Sequence, residues 1–431
     1  MIKALLLLSA LITLPSCTSW HINQLAAQLP SAGPQTTLDQ MNGIDPSLQD
    51  QAQYLLNRGI LALYTGDFQS SRQDLEQAKS IMTTMQSISI TENLAALSVN
   101  ETLRTYSGSP TDQVLVHLML GLNYLFSGDR DGARVEMLQA NVTMQKLDDG
   151  SSDIGQLASV RYFAGTIYEL NGEYDDALIS YQRAYEIMQA RHEPIPLALQ
   201  MALLNVSKRQ GRDTDYQSYA KAFNSSAQIA TTNEVEWLLF YFDGVVSSKH
   251  ENRLSVYSPK AQTMVSVVLP AYMPSYYRPR SLSLSAQNQS IPSSIIENME
   301  ARARDDLSQE SAKVLAAATL RAVSKYSMVR EAQSKDDAAG LLMNLLTVTT
   351  EQADVRSWNM LPASIQIARI KAPASETVTL PEWQVTLPSA KSLDASKIAA
   401  IMAFSINHRY FIYPTPVLNE KGATHDASNS E

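Results

Sequence analysis

His117-Leu118-Met119-Leu120-Gly121-Leu122-Asn123-Tyr124-Leu125-Phe126-Ser127-Gly128-Asp129 is the stretch from which the fold can be read, because its spacing occurs three times. Gly121 is followed three places on by Tyr124, four further by Gly128-Asp129 and five further by Ala133, with Met137 and Ala140 beyond. The same offsets carry Gly59, Ala62, Gly66-Asp67, Ser71, Leu75 and Ala78, and again Gly165, Tyr168, Gly172-Glu173, Ala177, Tyr181 and Ala184. Recurrence at fixed offsets marks stacked supersecondary units. The first glycine of each set lets two helices touch, the second closes a helix in a left-handed turn, and the last alanine admits the next unit.

On these residues the segment resembles the tetratricopeptide repeat, which implies antiparallel helix pairs around a concave, peptide-binding groove. Carrying the family's groove positions over gives Leu56, Ile60 and Tyr64, then Leu118, Leu122 and Phe126, then Tyr162, Thr166 and Glu169. Arg58 and Arg161 depart from the family pattern, and Gly59 to Gly121 spans 62 residues and Gly121 to Gly165 spans 44, against a family period of about 34. Extra helices must sit between the units, and Thr91 to Thr105 reads as one. Pro196 to Phe223, turning at Arg209-Gln210-Gly211-Arg212, lacks the small-residue pattern and reads as a weaker fourth unit or a capping helix pair. So apolar a groove exceeds what monomers leave in water. Two readings stay open: the chain's own elements fill it, or it takes a partner's apolar helix.

Upstream, Met1-Ile2-Lys3 gives a basic start, Ala4 to Leu14 an apolar run of about eleven residues, too short for a bilayer span of about twenty, and Leu14-Pro15-Ser16-Cys17 its close. Cys17 is the only cysteine. An unpaired exposed thiol is a liability in an oxidising compartment. The segment resembles a lipoprotein signal, which implies cleavage after residue 16, acylation (palmitate) at Cys17 and, with Thr18 following, the periplasmic face of the outer membrane. Residues 17–45, rich in Gln, Pro, Ser and Thr and broken at Gly33-Pro34, read as a flexible tether with one short amphipathic piece over Ile22 to Leu29.

Downstream the fold class becomes α + α/β: a helical domain over 46–232, a mixed α/β domain over 233–414 and a disordered tail over 415–431. Period-two, β-branched segments predict strands at Glu236 to Val246, Arg253 to Tyr257, Thr263 to Leu269, Arg280 to Ser285, Ile365 to Ile370, Glu376 to Leu380, Trp383 to Leu387, Ile398 to Ser405 and Arg409 to Tyr413. Ser293 or Ser294 is read as capping a helix over Ile295 to Leu307, Ser308 a second through Glu331, and Asp336-Asp337 a buried one over Ala338 to Val348.

Chemistry is sparse. With 43 acidic residues against 34 basic ones and a net charge of −9, the chain has no basic stripe for nucleic acid. Its six histidines lack ligand spacing, so no metal is expected. No nucleophile elbow, phosphate loop or nucleotide fingerprint is present, so neither a cofactor nor a catalytic residue is assigned. Two spots remain. Arg356 beside Trp358 could grip an anionic ligand, or form a structural plug with Arg356 paired to Asp354. Tyr276 and Tyr277, in a Pro- and Arg-rich loop, have the composition of an interface.

Val116 to Tyr124 with Gly128-Asp129 and Ala133, Ala317 to Lys325, and Ala353 to Arg369 together resemble a family of Gram-negative lipoproteins of uncharacterised role. That resemblance brings no catalytic residue. It implies a lipid-anchored periplasmic interaction protein, a non-enzyme with a protein partner in the envelope. An analogy of architecture is with the tetratricopeptide-bearing lipoproteins that regulate peptidoglycan synthases. The competing expectation is a glycan- or small-ligand-binding protein or hydrolase with its site at Arg356 and Trp358.

Overall fold

The computed structural model describes residues 18–89, 104–148, 150, 153–231, 233–258, 263–287, 289–335, 352–387, 389 and 398–416. The chain opens on two helices, α1 (Thr18–Ala32) and α2 (Pro34–Met41). The expectation of a flexible tether is therefore corrected. Ile22, Ala26 and Leu29 recur on one helical face, and all three are buried with Met41 in the main core. The break at Gly33-Pro34 is real, but it joins two packed helices: Gly33 has φ +88°, and Arg409 fills the space a side chain there would need.

Four helical hairpins follow: α3 (Gln51–Tyr64) with α4 (Phe68–Ser89), α5 (Pro110–Phe126) with α6 (Arg130–Leu147), α7 (Ala158–Leu170) with α8 (Tyr174–Ala190), and α9 (Leu197–Arg209) with α10 (Asp213–Phe223). Each turns through a glycine at positive φ, Gly66, Gly128, Gly172 and Gly211. At Gly165 an added Cβ would lie 2.6 Å from the Tyr181 ring, so the small residue sets how closely α7 and α8 approach. A capping box between Ser109 and Asp112 starts α5. The helix expected over Thr91 to Thr105 falls outside the described residues, except for Arg104 and Thr105, which are not helical.

The remaining chain is built on a five-stranded sheet in the order β11-β10-β1-β7-β6: β1 (Glu234–Asp243), β6 (Ser294–Asn298), β7 (Ser364–Pro373), β10 (Ile398–Ile406) and β11 (Arg409–Pro414). β1 runs parallel to β10 and antiparallel to β7. Asn407 and His408, both at positive φ, turn β10 into β11. A second sheet, β5-β4-β8-β9, comprises β4 (Ser283–Ala286), β5 (Gln289–Pro292), β8 (Val378–Leu380) and β9 (Val385–Leu387).

Alternation along β1 explains the layering. Leu238, Phe240 and Phe242 join the helices in one core, while Val235, Trp237, Leu239 and Tyr241 pack against the second sheet in another. Both faces of the central strands are thus covered, which is why they read as nearly continuous apolar runs. The helical and sheet parts share that first core, so the change near residue 233 is one of secondary structure and not of packing unit.

A hairpin of β2 (Lys249–Ser258) and β3 (Thr263–Tyr272) lies against the long helix α11 (Met299–Lys335), with Val265 and Val267 on Ala318 and Ala322. The helix expected from Ile295 is corrected at its start: 294–298 pairs with β7 as a strand, Ile296 is buried in the sheet, and Asn298 caps the helix by accepting the Ala301 N–H at 3.1 Å. No break occurs at Ser308, because the helix runs on to Lys335. Trp383 lies in a single 3₁₀ turn before β9. The helix expected over Ala338 to Val348, most of the tail and Cys17 lie outside the described residues. Among the described residues no helix is long and apolar enough to cross a membrane.

Candidate functional site

The first helices of the hairpins turn the expected groove residues inward, and the central sheet covers them. Leu56, Ile60, Tyr64, Leu118, Leu122, Phe126 and Tyr162 are all buried within one core with Phe240, Met402 and Phe404. The Tyr64 ring meets Phe404 edge-on at 4.9 Å, and Tyr162 meets Phe240 at 6.2 Å. An open groove binding a partner through these seven side chains is corrected: the chain's own strands occupy it. Their apolarity reflects burial of a few kcal/mol per large side chain.

At the first hairpin the occupant is a peptide in all but connectivity. Residues 354–361 run without helix or strand along α3. The Asn57 side-chain amide donates to Ser357 O at 3.3 Å and accepts the Met360 N–H at 3.0 Å, a two-point grip on one stretch of backbone. Gln53 donates to the same Ser357 carbonyl, and the Tyr64 hydroxyl donates to Met360 O at 2.8 Å. Gln53, Asn57 and Tyr64 read only backbone groups here, so this part of the groove holds a segment of its own chain by main-chain hydrogen bonds.

Arg356 and Trp358 belong to that occupant. The Arg356 guanidinium is 4% exposed, bonds both Asp354 oxygens, reaches Asp50 at 3.5 Å and donates to the carbonyls of Gln49 and Arg104. Burial lowers the guanidinium pKa, and Asp354 and Asp50 more than restore it, so the group stays charged. Trp358 is 1% exposed and lines a cavity of about 20 Å³, water-sized at most. Arg356 and Trp358 as a ligand-binding pair are therefore corrected, and the plug with Arg356 on Asp354 is what forms.

Further along the seam a charge network closes the groove. Arg369, on β7 and fully buried, donates to Glu236 at 2.6 and 2.8 Å and to Glu169 of α7 at 2.9 Å. Tyr181 also donates to Glu169, and Asn205 to Glu236. Burial works against the Arg369 charge, but the two carboxylates hold its pKa well above the ordinary value. Glu169 was legible as a groove position; its partner, 200 residues away, was not.

No family model matches the chain, and no curated protein matches it. Similar solved structures, each matching about half of the chain, include MamA from AMB-1 (14% identity, TM-score 0.31, 48% of this chain and 90% of that one). BtubC from P. vanneervenii gives 16% identity and TM-score 0.32 over 50% and 85%. A protein described as a Podosopora anserina kinesin light chain with nearly identical TPR-like repeats gives 15% and 0.32 over 48% and 98%. Superpositions this loose carry no inference about this chain, and the repeat reading rests on its own helices and glycine turns.

Outside the groove, Tyr277 and Tyr276 part company. The Tyr277 hydroxyl bonds Asp243 at 2.6 Å and Ser364 at 2.7 Å, and the Arg280 N–H reaches the same Asp243 carboxylate at 3.0 Å. Tyr277 is thus the loop's anchor, whereas Tyr276 is 89% exposed. A hollow of about 450 Å³ on the second sheet is lined by Ser285, Gln287, Glu376, Thr377 and Thr379 among others, with no aromatic ring among the described residues of its wall. Among the described residues no group of three or more His, Cys, Asp or Glu side chains could hold a metal. One cluster escaped the sequence reading: His117 Nδ1 lies 2.7 Å from Glu136, which also accepts from Lys79, and His117 Nε2 lies 3.3 Å from Thr143. It ties α4, α5 and α6 together.

Proposed function

We propose that the chain is a lipid-anchored interaction protein of the cell envelope that meets a protein partner with its outer surface, through the loop from Met273 to Arg280. The repeat architecture supports a contact role, and with the groove filled from within, contact falls to the exterior. Tyr276 carries the reading. Its ring stands in solvent at 89% exposure while the next residue is pinned to the central sheet by two hydrogen bonds below 2.8 Å. An exposed aromatic on a rigid base loses little entropy on docking, which is how interface anchors gain affinity.

Anchorage at Cys17 and residence on the periplasmic face of the outer membrane belong to the same proposal and rest on the signal-like first seventeen residues. A role in envelope or peptidoglycan assembly follows only from the architectural analogy. The test places a photo-crosslinking amino acid at 276 and, in a separate chain, at 122. A discrete envelope adduct from 276 alone is expected. Adducts from 122 alone, or from neither, would overturn the outer-surface reading. Cys17→Ser should move the protein from the membrane to the soluble periplasm, and retention on the membrane would refute the anchor.

A further inference from the structure

The helix that replaces the expected tether has a geometric consequence. Thr18 is the first residue of α1 and, with Ser19, is buried. One residue of chain spans at most about 3.6 Å, so a lipid-bearing Cys17 is held within roughly a nanometre of the folded body. A free 28-residue tether, by contrast, could reach about 100 Å.

The surface around that point is the kind a bilayer favours. Trp20, two residues into α1, is 57% exposed and meets the His21 ring at 5.1 Å. Leu48 is 78% exposed, and it is placed beside the start of α1 because the Ser47 N–H donates to Thr18 Oγ1 at 3.3 Å. Arg104 is exposed close by, since Arg356 Nη1 binds its carbonyl and that of Gln49 at 2.8 and 3.0 Å. Each of the three is exposed on backbone near the point where the chain enters α1, and an indole, an aliphatic side chain and a guanidinium at that end belong to the interfacial set of apolar anchors and a phosphate-seeking cation.

We propose that the end of the molecule bearing Trp20, Leu48 and Arg104 lies against the phospholipid surface, so that the folded body is seated directly on the membrane. The proposal rests on the anchor at Cys17 and adds to it an orientation. The Tyr276 loop then works within a body's length of the membrane, and partners near the bilayer are favoured over partners reached across the periplasm.

The test separates seating from acylation. The chain from Cys17 to Glu431 keeps every described residue and can be coupled through its one thiol to a maleimide lipid in phosphatidylethanolamine/phosphatidylglycerol vesicles. Of the four tryptophans, Trp237 and Trp358 are buried, so Trp20 dominates quenching by aqueous iodide, and Trp20→Phe supplies the correction for partly buried Trp383. Coupling should cut iodide quenching several-fold, blue-shift the emission and make Trp20 quenchable by bromolipids. A flexible Gly-Ser spacer of about ten residues after Cys17 lets the body leave the surface and should restore part of the iodide quenching. Undiminished iodide quenching in the coupled protein would overturn the seating. Because chemical coupling replaces acylation, that result would leave the anchor itself standing, to be judged by the fractionation of Cys17→Ser.

Discussion

The concave and convex faces of the repeat helices come from the same hairpins and have opposite fates. Inward-facing Leu122 and Tyr162 are sealed under the sheet, with Arg369 and residues 354–361 pinned to the helices beside them. On the convex side Val135, Leu138 and Val142 of α6, and Ile179 of α8, are exposed by 41 to 55%. The difference shows that a repeat spacing specifies which faces of a helix pair are apolar but not what covers them. Covering is decided by segments far away in sequence.

The strongest way to break the comparison is at Arg369. Arg369→Met would leave Glu169 and Glu236 buried without their counter-charge, a situation that costs about 3–5 kcal/mol. Urea denaturation should show a single transition at a much lower midpoint, since helices and sheet share one core. Two separate transitions, or a cost under about 1 kcal/mol, would mean that the sheet does not close the groove.

Asp306 tests the rim of the seam. It lies on α11, is 4% exposed, and accepts the Thr111 N–H at the start of α5 at 3.1 Å. Burial raises its pKa to about 6; hydrogen bonds from Ser109 and Thr111 oppose this, and nearby Asp112 adds to it. Asp112 is itself raised by burial, against the Tyr106 and Ser109 hydrogen bonds and the Lys249 charge. A carboxyl that binds its proton more tightly folded than unfolded contributes stability that is full below the unfolded pKa and lost as pH rises through the folded one. The loss between pH 4 and 7 should be on the order of 3 kcal/mol for this group. Asp306→Asn should flatten the pH profile of the urea midpoint by that amount, and an unchanged profile would show that Asp306 is solvated.

The internal ligand gives a smaller effect. Asn57→Ala removes the donor to Ser357 O and strands the Met360 N–H, at a cost of about 1–3 kcal/mol, and Tyr64→Phe about 1 kcal/mol for its single bond. Protection of the Met360 amide from hydrogen exchange should fall in Asn57→Ala before global unfolding does. Protection lost only with global unfolding would argue against a locally gripped peptide.

Legibility followed locality. The glycine turns at 66, 128 and 172 were visible because each is specified by its own neighbours. The two-sided apolar strands at 236–242 and 398–405 were visible for the same reason. Residues 294–298 were misread because Ile295 and Ile296 suit a helix start as well as a strand, and only pairing with Ile365 and Ile367 decides. In 18–41 the buried face is thin, and the Gln- and Thr-rich remainder masks it. Nothing in Arg356 to Met360 announces a ligand, since Gln53, Asn57 and Tyr64 read only its backbone. The chemistry of Arg356 and Trp358 is visible in the sequence, but it serves closure and not recognition.

The smallest effect sharpens the comparison most. Leu138 and Leu122 are the same residue type on opposite faces of one hairpin, 41% exposed and fully buried respectively. Truncating a buried leucine to alanine removes burial and leaves a cavity, whereas Leu138→Ala on the isolated protein should stay within about 0.5 kcal/mol of the parent. That near-neutrality is informative because it depends on the convex face being bare. A second copy lying on α6 would make Leu138 behave like a core residue, with a loss that deepens as protein concentration rises. Measuring the Leu138→Ala urea midpoint at two protein concentrations well apart distinguishes the cases, and a large concentration-dependent loss would transfer the contact surface from the Tyr276 loop to the outer helices.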